Sequence, residues 1–282
     1  MVLKNIDSKE DDINILKELY QKSSSNKQKE LILKELKKVE IGYKNEKDNA
    51  YYLNFYDNDR FILLHDIRLE YNGKVAQIDH ILITLIDIVV LESKSFKGVL
   101  TINSDGSLTV NYTKFKKTFP NPVEQTKRHA KLLKEFLEDK LDLPLRHKLL
   151  GGLPISYKVL IHPQTTITNQ TLPEDFARSD SFFTKRREEI DKLDTLTILK
   201  KTSTLINEDL RKKIASLLIS SHKPISIDYR KKFPIKNKEN ICPKCKVGKL
   251  VIRESKKNTK YKNNKFLACD RFPKCCYTQE IV

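Results

Sequence analysis

No cysteine occurs before residue 242, and the five that follow are confined to residues 242–276. An odd number in one short stretch argues against a disulfide framework and for a metal site. Long apolar runs are missing as well, and none approaches the roughly 20 residues of a membrane span. The first residues, Met1 to Asp7, lack the basic-then-apolar order of a secretory signal. These absences predict a cytoplasmic protein with no membrane partner. Internal repeats and low-complexity tracts are absent too. Gly151-Gly152 is not followed by Gly-Lys-Ser/Thr, so it is no phosphate loop. His65, His129, His147, His162 and His222 show no ligand spacing among themselves and read as structural or exposed. His80 is expected to point away from its neighbour Asp79.

What the chain does have is positive charge. Its 282 residues are 39% hydrophobic and 32% charged, with 54 Lys and Arg against 37 Asp and Glu, a formal net charge of +17. That length suffices for one good-sized core with a small satellite, or for two modest domains. A strongly basic balance favours a polyanionic partner. Residues 230–282 hold 16 Lys and Arg against 4 Asp and Glu, so +12 of the +17 sits on the stretch that carries the cysteines.

Residues 9–22 read as a short helix, broken by Ser23-Ser24-Ser25-Asn26. Leu31, Ile32, Leu36, Val39, Tyr43, Ala50 and Leu53 recur at helical spacing and predict a helix over 27–56, with Gly42 as a candidate bend. Strands are expected over 61–69, 75–84, 88–95, 99–102 and 108–112. Asn72-Gly73 marks a tight turn between the first two. The clearest helix spans 123–141, opened by Pro122 and closed before Pro144. A strand over 157–162, helices over 184–194 and 205–221, and a basic linker from residue 224 follow. Lys114 to Lys117, and Lys127 with Arg128, read as solvated faces. Helix, antiparallel meander, helix and strand make an α/β or α+β domain.

Cys242-Pro-Lys-Cys245 presents two thiolates to one tetrahedral ion, and Cys269 with Cys275 supplies two more. Thiolates select zinc over magnesium or calcium, and a closed four-ligand site serves folding and binding rather than catalysis. Cys276 is the spare, and the sequence leaves open whether it or Cys275 is the fourth ligand. The stretch Cys242-Pro-x-Cys245, Gly248, Leu250, Arg253, Phe266-Leu-Ala-Cys269 and Phe272-Pro-x-Cys275-x-Tyr277-Thr278 resembles the zinc ribbon at the C-terminus of type IA DNA topoisomerases. The resemblance implies DNA binding, mainly of single strands. Tyr261, Phe266, Phe272 and Tyr277, interleaved with Lys244, Lys249, Arg253, Arg271 and Lys274, suit base stacking beside phosphate contacts.

In the middle of the chain, Glu92 and Lys94 fall on one face of an otherwise apolar strand, where charge is costly unless paired or metal-bound. A two-residue turn at 85 and 86 sets Asp79 opposite Glu92; a three-residue turn sets it opposite Ser93. Facing carboxylates repel unless a cation lies between them, and oxygen ligands suit Mg²⁺ or Mn²⁺. Asp, then Glu-x-Lys on the next strand, is the arrangement of the PD-(D/E)xK nucleases. Gly42-x-x-x-Glu46, Ile78-Asp79-His80, Val90-Leu91-Glu92-Ser93-Lys94, Gly98, Asn121-Pro122-x-x-Gln125 and the strand from Tyr157 to His162 extend the likeness. Residues of about 38–163 thereby resemble the nuclease-related domain (NERD) family. Asn45 departs from the glycine that family often has before the helix glutamate.

The resemblance implies an α/β, restriction-endonuclease-like core, a mixed sheet flanked by helices. Asp79, Glu92 and Lys94 would be its catalytic set, Asp79 and Glu92 its Mg²⁺ or Mn²⁺ ligands, and Glu46 and Gln125 its accessory residues. The expected organisation is a helical segment at 1–37, the core at 38–163, its helical extension at 164–223, a basic linker at 224–240 and a zinc ribbon at 241–282. The expected activity is metal-dependent hydrolysis of single- or double-stranded DNA, with a protein partner or oligomer left open. The alternatives are a non-catalytic DNA-binding scaffold and an RNA-binding protein.

Overall fold

Ten-residue strands meet at Asn72-Gly73, where both residues take positive φ (48° and 69°), as a tight hairpin turn between right-twisted strands requires. That hairpin is the frame of the structure, a computed structural model that describes residues 1–56, 60–192, 194–235, 241–255 and 265–280, without the side chains of 199–201. The chain divides into two units, Met1–Asn14 with Glu35–Ile227, and Ile15–Lys34 with Asp228–Val282.

In chain order the elements up to residue 227 are β1 (Val2–Lys4), α1 (Glu10–Lys22), α2 (Asn26–Asn54), β2 (Ile62–Tyr71), β3 (Lys74–Ile83), β4 (Ile88–Lys94), β5 (Val99–Ile102), β6 (Leu108–Asn111), β7 (Lys116–Phe119), α3 (Pro122–Lys140), α4 (Leu145–Leu149), β8 (Ile155–Ile161), β9 (Phe176–Arg178), α5 (Phe182–Asp191), α6 (Thr195–Ser203) and α7 (Glu208–Ser221). The main sheet has the order β1-β2-β3-β4-β8-β9. β2, β3 and β4 form an antiparallel meander, while β1 joins β2, β8 joins β4 and β9 joins β8 in parallel. This is the mixed sheet flanked by helices that the sequence implied.

One face of the sheet packs Ile67, Ile78 and Val90 against Leu133 and Leu137 of α3 and Ile214 and Leu218 of α7. The other packs Leu63, Leu82 and Leu91 against Leu53 of α2 and Phe182 of α5. Burial of each such side chain contributes about 1.5–3 kcal/mol, so the two clusters fix the sheet between helical layers. β5, β6 and β7 make a separate antiparallel sheet whose Leu100 and Val110 pack on Val159 and Ile161 of β8.

Several local features differ from expectation. α2 runs unbroken through Gly42, because a single interior glycine costs only about 1 kcal/mol. Part of the basic run at 114–117 is the edge strand β7, which remains exposed while pairing with β6. α5 covers the helix expected at 184–194, ending at Asp191, and α6 is an additional helix before the one expected from 205.

The second unit contains α8 (Tyr229–Lys232), inside the stretch expected to be linker, and a three-stranded antiparallel sheet of β10 (Leu250–Glu254), β11 (Lys265–Cys269) and β12 (Thr278–Gln279). The start of that stretch is tied down. Tyr229 is buried, Arg230 donates to Glu18 (2.8 Å), and Gln28 donates to the Pro234 carbonyl (3.0 Å). Among the described residues no helix is long and apolar enough to cross a membrane.

Candidate active site and metal centre

The β3–β4 hairpin closes with the Thr84 N–H donating to the Asp87 carbonyl (2.9 Å), and its ladder runs from Ile83↔Ile88 to His80↔Leu91. This is the two-residue form of the turn, so the next pair in register is Asp79 opposite Glu92. The Ser93 N–H donates to Asp79 Oδ2 (2.7 Å), which orients that carboxylate. Lys94 Nζ donates to Glu92 Oε1 at 2.5 Å, on the shared strand face expected from their spacing. Glu92 is only 5% exposed, next to the buried Leu91 in β4 and with the buried Val159 of β8 as its register partner.

The charges are poised against one another. Burial, then the Glu92 and Glu46 carboxylates, hold Asp79 well above the usual carboxylate range. Glu46, on α2, is pushed up to about 7 by burial and then by the charge of Asp66, with Glu92 adding to it. Burial alone would pull Lys94 down, but Glu92 and Asp79 outweigh it and raise the lysine. Glu46, Asp79, Glu92 and Lys94 therefore form one electrostatic cluster. Such crowding of carboxylates is relieved by a divalent cation. One buried oxygen supports that fit: Asp66, 4% exposed, has no hydrogen-bond partner for Oδ2 among the described residues. Facing carboxylates suit Mg²⁺, which takes oxygen ligands and keeps several waters.

Gln125 stands in the first turn of α3. Asn121 caps that helix by accepting from the Val123 N–H (2.9 Å), and its amide donates to the Asp105 carbonyl (3.0 Å). Among the described residues Gln125 makes no hydrogen bond to the carboxylates. One turn along the same face is His129. Burial lowers it, Glu92 opposes that shift, and its Nδ1 is buried without a partner among the described residues. His129 had read as structural or exposed; its position four residues after Gln125 was the available signal.

Behind Asp79 lies a chain of polar groups that sequence reading did not foresee. Asn54 Oδ1 meets His65 Nε2 (2.9 Å), His65 Nδ1 meets His80 Nδ1 (2.6 Å), and His80 Nε2 meets Ser93 Oγ (2.8 Å). Burial holds His65 at about 4 and His80 well below its ordinary value, so both rings are neutral. The contacts then order themselves. His65 Nε2–H donates to Asn54, His80 Nδ1–H to His65, and the Ser93 hydroxyl to His80. Ser93 thus joins this chain by its side chain and Asp79 by its backbone. A groove of about 440 Å³ is lined by Lys44, Asn45 and Asp48 of α2, by Ser95, Phe96 and Lys97, which follow Lys94 in the chain, and by Tyr112 and His162.

In the second unit the Sγ atoms of Cys242, Cys245, Cys269 and Cys275 lie within 4.8 Å of one another. Cys276 is exposed, its thiol on the Pro273 carbonyl, so the geometry selects Cys275 as the fourth ligand. The knuckle holds its shape through Cys242 N–H to Gly248 O (2.7 Å) and Gly248 N–H to Cys245 Sγ (3.3 Å). The Gly248 and Val247 N–H groups draw the Cys245 thiol down to about 6, toward the thiolate that a metal needs. Glycine is required at 248, where a Cβ would stand 2.4 Å from Cys269 Sγ. The four thiols suit structural zinc.

Lys244, Lys249, Arg253, Arg271 and Lys274 are exposed, as is Phe272 at 60%. Phe266 and Tyr277 are half-buried and share with Arg253 and Phe272 the wall of a cavity of about 240 Å³. Tyr261 lies outside the described residues.

The mixed sheet, its helical layers and the Asp, Glu-x-Lys pair on adjacent strands define a PD-(D/E)xK-like core, joined in one chain to a four-cysteine zinc ribbon. Family models agree: the nuclease-related domain (NERD) matches residues 41–162, and the topoisomerase DNA-binding C4 zinc finger matches residues 239–282. Residues 41–162 are thus similar to the first family and residues 239–282 to the second, in that order along the chain. No curated protein and no solved structure matches it.

Proposed function

We propose that the protein is a metal-dependent DNA nuclease whose zinc ribbon supplies DNA affinity. The observation that carries this reading is the register of the β3–β4 hairpin, which sets Asp79 against Glu92 with Lys94 on the Glu92 carboxylate. Asp79 and Glu92 would hold Mg²⁺ or Mn²⁺, which when bound lowers the pKa of a water and neutralises charge on the scissile phosphate. Lys94 orients the attacking water and offsets negative charge as the phosphorus oxygens develop it. Ser93 fixes Asp79 through its N–H, and the neutral His65–His80 pair keeps the Ser93 hydroxyl engaged on the far side. Glu46 and Gln125 flank the centre as accessory residues. The groove whose lining continues from Lys94 into Ser95, Phe96 and Lys97, with Lys44 and Tyr112 beside Asp48, suits a nucleic-acid strand: cations for phosphates, aromatic faces for bases. The ribbon offers the same pairing in Arg253, Phe272 and Tyr277.

Labelled single- and double-stranded DNA with Mg²⁺ or Mn²⁺ tests this. The wild type is expected to cut, and a Glu92→Ala/Lys94→Ala variant is not. Cutting by both would place the chemistry elsewhere. Cutting by neither, with DNA binding intact, would leave a DNA-binding scaffold, and a preference for RNA in competition would change the substrate class.

A further inference from the structure

We infer that Asp66 is a positioning carboxylate of the divalent-cation site, holding a water of the cation opposite Asp79. This rests on the reading that Asp79 and Glu92 take Mg²⁺ or Mn²⁺.

The β2–β3 ladder pairs His65 with His80 and Ile67 with Ile78. The residues between these pairs are Asp66 and Asp79, so the hairpin register sets them opposite each other. Asp66 is 4% exposed. Its Oδ1 accepts from Gln77 Nε2 (3.3 Å), while Oδ2 is buried with no partner among the described residues. A buried ionisable oxygen left unpaired is costly, and such a group in a native fold calls for a ligand or bound water. Lys4, whose ammonium bonds the Asp66 backbone, does not supply the partner. Lys4 Nζ donates to the backbone oxygens of His65 (3.0 Å) and Asp66 (2.9 Å) and to Asp7 Oδ1 (2.9 Å).

The backbone is shaped to this placement. Asp66 has φ 52°, the left-handed region, inside a strand. The strand changes phase there: Ile62 and Leu64 before it, and Ile67 and Leu69 after it, all enter the same apolar cluster. Asp66 therefore escapes the alternation that would otherwise set its place on the sheet. Its charge reaches the site, since after burial it is the largest cause of the raised Glu46. Among the described residues, the ligand atoms of the four cysteines make the tight metal-binding group. No three carboxylates among the described residues come as close together as the cysteines do, which suits Mg²⁺ holding its own waters and Asp66 accepting a hydrogen bond from one of them.

The test is Mn²⁺ binding to the zinc-loaded full chain, read from the electron paramagnetic resonance signal of free Mn²⁺. The ribbon thiolates prefer zinc and do not compete for this probe. Asp79→Asn is expected to abolish binding. Asp66→Asn is expected to weaken it by about 10- to 100-fold, the usual effect of removing a group behind a metal's direct ligands. Asp66→Gly should weaken it equally, and glycine adopts φ 52° without strain, so a loss there is not a backbone effect. Wild-type affinity in both Asp66 variants, with binding lost in Asp79→Asn, would overturn the role of Asp66 and leave the site intact. Absence of Mn²⁺ binding in the wild type would overturn the role of Asp66 together with the metal-site reading beneath it.

Discussion

Replacing Glu46 with glutamine should stabilise the protein in a strongly pH-dependent way. Burial, Asp66 and Glu92 raise Glu46 from an ordinary 4.5 to about 7. A carboxyl whose pKa is raised by folding binds its proton more tightly in the native state. Its favourable contribution is complete below pH 4.5, and stability falls as pH rises from 4.5 to about 7. Above that the loss levels off at about 3 kcal/mol relative to the acid side, at roughly 1.4 kcal/mol per pH unit. Glutamine keeps the shape and cannot ionise. Without Mg²⁺ or Mn²⁺, the transition of the first unit in Glu46→Gln should match the wild type near pH 4 and exceed it at pH 8. For a unit of this size the gap in Tm at pH 8 is about 6–12 °C. Calorimetric melts at half-unit pH intervals would show it. Parallel Tm profiles from pH 4 to 8 would refute the crowding of carboxylates on which the site is built. Adding Mg²⁺ at pH 8 should narrow the gap by stabilising the wild type.

Other consequences follow from particular contacts. Removing zinc should unfold the ribbon and weaken DNA binding while the transition of the first unit stays in place, as two-colour melts with and without a zinc chelator would reveal; a shared shift would contradict it. If the basic tail meets phosphates, the logarithm of single-strand affinity should fall with that of salt by about 0.7 per contact, and a slope shallower than about −1 would tell against the ribbon as the affinity element. At Gly98 a Cβ would stand 2.6 Å from the Asn111 carbonyl and 2.7 Å from Val110 Cγ1. Gly98→Ala should therefore cost about 1–3 kcal/mol, measured by denaturant unfolding.

Much of the site was legible because short-range signals fixed it. Asn72-Gly73 set the first hairpin, and the spacing of Asp79, Glu92 and Lys94 left only the length of one turn undecided. The Thr84–Asp87 closure resolved that length. The same arithmetic would have found more. His65 and Asp66 mirror His80 and Asp79 about Asn72-Gly73, so a tight hairpin pairs like with like. The histidines had been weighed singly, and a period-two reading of the strand hides Asp66, because the change of phase at φ 52° is a tertiary event without a sequence mark. The choice of Cys275 over Cys276 depended on how the chain folds back onto Cys242 (Sγ–Sγ 3.6 Å), a long-range closure that spacing alone does not encode. β7 was missed because its exposed lysines belong to an edge strand, where polar residues are the rule.

The most direct measurement is single-turnover cleavage of end-labelled DNA by excess protein at one fixed Mn²⁺ concentration, comparing the wild type with Asp79→Asn and Lys94→Ala. A metal-dependent rate that falls by about 100-fold or more in each variant, with DNA affinity unchanged, is the predicted result. Equal rates in all three proteins would contradict the assignment of the chemistry to the β3–β4 carboxylates.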